Sequence, residues 1–218
     1  MKLSHFITSS FSLSPLRTYQ HFYCSTVELN GKVLDLGGAG KTSYSQLFKG
    51  NYSFVTINID PATNPTIVGD ITKHFPLKDK EFDAVVSMNT FEHIFDFDTP
   101  LKESYRVMKS RAIFVGSTPY LHQIHSSPND YWRYSGSCLE DLFNKHGFDV
   151  KKIIPLGTGL FVARYSLMYG ALPRIIRPFF AACAWILDTM LCKLSSRYRK
   201  SCSEQNYPLG YFFIAEKP

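Results

Sequence analysis

Apolar residues come in short runs separated by polar turns, and the runs alternate with stretches of helical spacing. Val33, Leu34 and Leu36 form a strand end that runs into Gly37-Gly38-Ala39-Gly40. The segment 42–50, TSYSQLFKG, predicts a short helix stopped by Gly50. A second strand spans Ser53 to Asp60, and Pro61 and Pro65 leave no room for a crossover helix before a third, Thr66 to Ile71. Phe82 to Asn89 reads as a fourth strand, and Thr99-Pro100 as the N-cap and first position of a helix. A fifth strand, Ala112 to Gly116, leaves through Ser117-Thr118-Pro119. Ser137 and Glu140 form a capping box for a helix ending at Gly147. Phe148 to Pro155 and Tyr211 to Glu216 complete the strands. Strands alternating with helices predict an α/β fold with a mostly parallel sheet and helices on both faces.

Two stretches depart from this rhythm. Residues 1–28 are Ser-rich with no acid before Glu28, and read as a disordered or loosely helical lead-in. Between the last two strands lies an apolar insertion. In it Arg174, Arg177, Ala181, Ala184 and Asp188 recur at helical spacing as one polar or small face. The charge-free run from Arg177 to Asp188 is too short for a bilayer span of about 20 residues. Core packing, an interface with another chain and an interfacial membrane helix all remain open for it.

The chain has 218 residues, 44% apolar and 19% charged, which bounds it to an ordinary globular core. The net charge of +6 gathers partly in Lys193 to Lys200 and reads as a solvated segment, not a nucleic-acid stripe. Five scattered cysteines with no CxxC pair indicate neither a disulfide framework nor a zinc site, so a reducing compartment is expected and no metal is assigned.

The glycine turn is the candidate ligand site. Gly40-Lys41-Thr42 looks like the end of a P-loop, but that motif needs a glycine where this chain has Asp35. A dinucleotide fingerprint fails as well, because Ala39 and Thr42 stand where glycines belong. An Asp-x-Gly opening at a strand end suits a ligand without pyrophosphate, and Asp60 is placed for a ribose diol.

In order, VLDLGGAGK, INID, VGDIT, FDAVVSMNTFEHI and LKESYRVMK resemble the class I SAM-dependent methyltransferases of the methyltransferase-11 type, over roughly residues 32–150. The resemblance implies a Rossmann-like sheet with an antiparallel last strand. It also implies a single domain over 29–218 with the apolar helical insertion at about 159–206. S-adenosylmethionine (SAM) is the implied cofactor. Asp35 and the turn Gly37, Gly38, Ala39 and Gly40 would hold its methionine end, Asp60 its ribose hydroxyls, and Asp70 and Ile71 its adenine. Asn89 would lie near the methionine moiety. Each acid also has a plain alternative: Asp35 could organise the turn, and Asp60 and Asp70 precede turns where Asp is common. Glu92 and His93 resemble the family's "EH" pair, for which helix capping or packing is the readier role. Position 39 is Ala where the family usually has a central Gly, and Lys109-Ser110-Arg111 replaces its Lys-Pro-Gly-Gly.

The loop 119–135 carries His125-x-x-Pro128-x-Asp130-Tyr131-Trp132-Arg133, resembling a subgroup of these enzymes often found with sugar or polysaccharide genes. His125 is the candidate base and Asp130 its orienting partner or a sugar-hydroxyl ligand. Tyr131 and Trp132 would stack on the acceptor, and Arg133 would hold a phosphate or carboxylate. The alternative is a self-structuring loop with Asp130 paired to Arg133. The expected activity is methyl transfer to a small-molecule or glycan-linked acceptor in the cytoplasm. RNA or protein methylation, and an inactive fold that binds a partner or a membrane, stand as alternatives. No nucleic-acid partner is expected, while peripheral membrane contact or self-association through 172–194 is left open.

Overall fold

The computed structural model describes all residues 1–218, which fall into two compact units. The first to consider holds residues 24–118, 125–154 and 212–218. Its sheet contains β1 (Gly31–Leu36), β2 (Tyr52–Asn58), β3 (Ile67–Val68), β4 (Phe82–Met88), β5 (Met108–Pro119), β6 (Asp149–Leu156) and β7 (Gly210–Glu216), in the order β3-β2-β1-β4-β5-β7-β6. β5 and β6 end, and β7 begins, in the other unit. The pairs β1–β2, β2–β3, β1–β4 and β4–β5 are parallel, with Val33 opposite both Phe54 and Ala84. β7 runs against β5: Arg111 N–H donates to Lys217 O (2.7 Å) at one end, and Tyr120 N–H donates to Leu209 O (2.8 Å) at the other. The expected mostly parallel sheet with an antiparallel last strand is what forms. Val33, Leu34, Ala84, Val85, Val86, Phe114 and Val115 are buried in its centre, as continuous apolar runs in a covered sheet should be.

The strand order reverses between β1 and β4, and that decides where a ligand fits. Chains leaving neighbouring strands in opposite directions open a crevice at the strands' carboxyl ends. Here those ends are Gly37 after β1 and Asn89 after β4, both in the left-handed region at φ +75° and +53°.

Helices α3 (Asp98–Val107) and α4 (Gly136–Lys145) belong to this unit. Three local expectations need correcting. Residues 42–50 form turns, not a helix. Side chains take over the carbonyls and carboxylates there: Ser45 Oγ donates to Thr42 O, Tyr52 donates to Ser45 O and Phe48 O, and Tyr44 donates to Asp35. Hydroxyl-rich segments compete with helical bonding in this way. At the start of α3 it is Asp96, not Thr99, that accepts Asp98 N–H (3.0 Å), with the Thr99 hydroxyl as a second donor. At α4 the cap is Ser135, whose Oγ accepts Cys138 N–H, not Ser137. Buried Tyr134, donating to Phe91 O, fixes the chain one residue before that cap. Ser135→Ala should therefore lower stability by about 1 kcal/mol, read as a shift in the urea midpoint at constant slope, while Ser137→Ala should leave it unchanged.

The second unit, residues 1–23, 119–124 and 155–211, is helical. α1 (Leu3–Ser9) and α2 (Pro15–Cys24, its last residue in the sheet unit) occupy the lead-in, which is helical with Phe6, Leu16 and Tyr19 buried. α5 (Leu160–Met168), α6 (Arg177–Leu194) and α7 (Ser196–Cys202) form the insertion, with Pro178 in the first turn of α6. The face of α6 marked by Ala181, Ala184 and Asp188 is the buried one, while Phe179, Ile186, Met190 and Leu194 are exposed. Both α5 and α1 pack against α6. Asp188 has no exposed surface and accepts from Phe161 N–H, Val162 N–H and the Thr158 and Tyr198 hydroxyls. It satisfies the N-terminal donors that α5 would otherwise leave open. No helix is long and apolar enough to cross a membrane.

Candidate functional site

A cleft of about 500 Å³ lies at the carboxyl ends of β1, β2 and β4. Gly37 lines it, and lacks a Cβ that would come within 2.6 Å of Thr90 Cγ2. Thr90 in turn donates to Leu36 O (3.0 Å), so the ends of β1 and β4 are tied across the cleft base. Asn89 and Thr90 line one side, and Asp70, Ile71 and Thr72 another. Asp70 Oδ1 accepts the Thr72 N–H (2.9 Å) and hydroxyl (2.7 Å), which fixes one oxygen of that carboxylate in its own turn.

Two acids assigned to the cofactor from sequence lie elsewhere. Asp35 is buried beneath the glycine turn, outside the cleft lining, and accepts the Tyr44 hydroxyl at 3.0–3.1 Å. Burial pushes its pKa up to about 8. Gly38 must lack a Cβ because one would collide with this carboxyl, so Asp35 supports the turn from below. Asp60 is exposed and accepts Ala62 N–H (2.9 Å) as an Asx cap of the next turn. It does not line the cleft either. The end of β2 does, through Ile57 and Asn58; the Asn58 amide donates to Gly37 O (2.8 Å) and its carbonyl accepts Asp60 N–H (3.0 Å). Sequence reading passed over Asn58 in favour of the acid two positions on. Gly38, Ala39 and Gly40 are outside the lining, with Gly40 N–H bonded to Thr63 O (2.9 Å).

The acceptor-side loop is internally bonded. Asp130 is held by the Arg133 guanidinium through both oxygens and by His125 N–H (2.8 Å). The arginine holds its carboxyl well below the usual range. Trp132 donates to Ile94 O (3.0 Å) and stacks against Phe95 at 5.8 Å. Of the five loop residues singled out, Tyr131 lines the cleft, in edge contact with Phe95. The self-structuring alternative thus describes Asp130, Trp132 and Arg133, and Tyr131 faces the cleft from that frame.

His125 sits beside two residues read from sequence as capping or packing. Its ring meets His93 edge-on at 4.9 Å, and its Nε2 is 3.9 Å from Glu92 Oε1. Glu92 has no exposed surface and neither carboxylate oxygen has a hydrogen-bond partner. Burial pushes its pKa up to about 8. Of the capping and packing roles, capping does not hold, because Glu92 is the buried middle residue of a single 3-10 turn, Phe91–His93, whose start has no side-chain cap. His93 also lines the cleft.

Residues 34–116 match the methyltransferase-11 family model, described as a methyltransferase domain. The ubiquinone/menaquinone biosynthesis C-methyltransferase UbiE of Haemophilus ducreyi is 33% identical over 104 residues, covering 39% of this chain and 40% of that protein. The chain thus spans about two fifths of the length of that curated relative. Among solved structures, phosphoethanolamine N-methyltransferase 2 of Haemonchus contortus, in complex with S-adenosyl-L-methionine, superposes with a TM-score of 0.57 at 17% identity, over 91% of this chain and 52% of that one. The complex of the Haloferax volcanii Trm112 methyltransferase activator with a methyltransferase gives 0.60 at 18% identity, over 98% and 97%. At such identities the superpositions establish the fold. Residues 34–116 are thus similar to methyltransferase domains of the methyltransferase-11 type, and the sheet that carries them has the Rossmann-like class I methyltransferase fold.

Proposed function

We propose that this chain is a SAM-dependent methyltransferase acting on a small-molecule or glycan-linked acceptor. The observation that carries the reading is the cleft at the β1/β4 switch point, lined by Gly37, Asn58, Asp70, Ile71 and Asn89, within the segment that matches the family. When bound, SAM supplies an activated methyl group. The residues fit it: Gly37 lets a ligand approach the backbone, Asn58 offers the β2 end to a ribose, and Asp70 and Ile71 offer a polar and an apolar contact to adenine. Asp35 contributes by holding the glycine turn in shape. The acceptor enters past Tyr131, with the frame of Asp130, Trp132 and Arg133 keeping that ring and His125 in place. Methyl transfer to a hydroxyl or amine needs the acceptor proton removed, and His125, beside the cleft-lining His93 and with Nδ1 3.4 Å from Asp130 Oδ2, is the candidate base. Polysaccharide chemistry is the acceptor class favoured by the HxxPxDYWR pattern, in the cytoplasm.

The test is calorimetric titration of the purified chain with SAM, with ATP as control. Micromolar binding is expected, weakened more than ten-fold by Gly37→Ala and by Asn58→Ala, and less by Asp60→Ala. Strong loss from Asp60→Ala with none from Asn58→Ala would return the ribose contact to Asp60. Absence of SAM binding in folded protein would end the reading.

A further inference from the structure

We infer that Glu92, His93 and His125 form a binding site for a divalent first-row transition metal ion at the wall of the cleft. Three observations converge on it. Each residue offers one ligand atom, and these atoms lie within 4.8 Å of one another. Glu92 Oε1 is 3.8 Å from His93 Nε2 and 3.9 Å from His125 Nε2, so a small inward shift lets these atoms share one ion at metal–ligand distances of about 2.0–2.2 Å. The second observation is the far side of each imidazole. His93 Nδ1 lies 2.6 Å from the Asn129 carbonyl, which can only accept, so the proton sits on Nδ1 and the Nε2 lone pair faces Glu92. His125 Nδ1 lies 3.4 Å from the Asp130 carboxylate, itself locked by Arg133, and its Nε2 also faces Glu92. A carbonyl or carboxylate behind each histidine is the outer-shell arrangement that orients metal-bound imidazoles.

The third observation is Glu92 itself. It is fully buried, and both its oxygens lack hydrogen-bond partners. Such a group calls for something to satisfy it, and a cation between three converging ligand atoms does so. Two imidazoles and one carboxylate suit zinc with an open fourth position, or iron or manganese, and disfavour magnesium, which prefers oxygen. Because His93 belongs to both the cluster and the cleft wall, a bound ion lies beside the acceptor's path. An acceptor hydroxyl in its open position would lose its proton more readily than in water, and His125 would then serve as ligand in place of base.

The site stands on this geometry and is independent of SAM binding. The test is titration of chelator-stripped full-length protein with Zn²⁺, and separately with Mn²⁺, Fe²⁺ under anaerobic conditions and Mg²⁺. One equivalent of Zn²⁺, Mn²⁺ or Fe²⁺ per chain is expected, with Mg²⁺ silent. Glu92→Gln and His125→Ala should each weaken binding at least 100-fold, and His122→Ala should leave it unchanged. Circular dichroism checks the fold of each variant. Half-exposed His125 gives the decisive variant if Glu92→Gln fails to fold. Binding that survives His125→Ala, or no stoichiometric binding of the transition-metal ions by the wild-type chain, would overturn the site.

Discussion

Replacing Asp188 with alanine is expected to destabilise the chain by about 4 kcal/mol. Its carboxylate accepts from two backbone N–H groups of α5, Phe161 at 3.0 Å and Val162 at 2.8 Å, and from the hydroxyls of Thr158 and Tyr198. Removing one acceptor strands four donors, and each donor left buried without a partner costs about 1–3 kcal/mol. Partial rearrangement of the two hydroxyls keeps the sum below the upper limit. Gly159, at φ +152°, has no room for a Cβ against Asp188 Oδ1 (2.8 Å), so the chain entering α5 lies directly on this carboxylate. Asp188→Asn should lose roughly half as much, since one oxygen remains an acceptor. Urea unfolding followed by far-ultraviolet circular dichroism measures both. A loss under 1 kcal/mol for the alanine variant would show that water replaces the carboxylate and that Asp188 is not the anchor of α5.

Asp188 also shows what the sequence withheld. Its helical spacing with Ala181 and Ala184 was plain, yet the face they mark was read as polar and small. Its burial depends on which side of α6 meets other helices, and hydrophobicity points the wrong way here. Phe179, Ile186, Met190 and Leu194, the larger apolar residues, are left outside. Local patterning does better where one force acts alone. β1 and β4 are apolar runs in a covered sheet, and both appeared within one or two residues of their observed limits. Residues 42–50 had the composition of either a helix or a set of hydroxyl-bonded turns. The deciding contact, Tyr44 to Asp35, becomes visible only once the strand end and the loop are folded together. The same limit governs the cleft. Of the residues lining it, Gly37 was legible as a glycine turn at a strand end, and Asp70, Ile71 and Asn89 only through the family resemblance. The cluster at Glu92 was not, because it joins a turn after β4 to a histidine more than thirty residues away, and no spacing rule brings those together.

Asp35→Asn is expected to remove one buried carboxyl's contribution to the pH dependence of stability. The Asp35 carboxyl is wholly buried, and burial outweighs the Tyr44 hydroxyl bond, raising the pKa from 3.8 to about 8. Below about pH 4 the group is protonated in both folded and unfolded chains, and it costs nothing. Between about pH 4 and 8 the unfolded chain gives up this proton while the native chain keeps it. Stability then falls by about 1.4 kcal/mol for each pH unit through that window and levels off above it. Asparagine has no proton to lose and keeps an oxygen for Tyr44, so the variant loses this contribution to the slope, while that of buried Glu92 remains in both proteins. Urea unfolding of both proteins at pH 5 and pH 8 tests this. The stability of the variant relative to wild type should grow by about 4 kcal/mol between the two. A difference that stays constant with pH would mean that Asp35 is ionised in the native protein, held by a cation or by water near the turn. A neutral carboxyl under Gly38 is what lets the turn close tightly over it, so the outcome also decides whether Asp35 supports the glycine turn as an uncharged strut or as a buried anion.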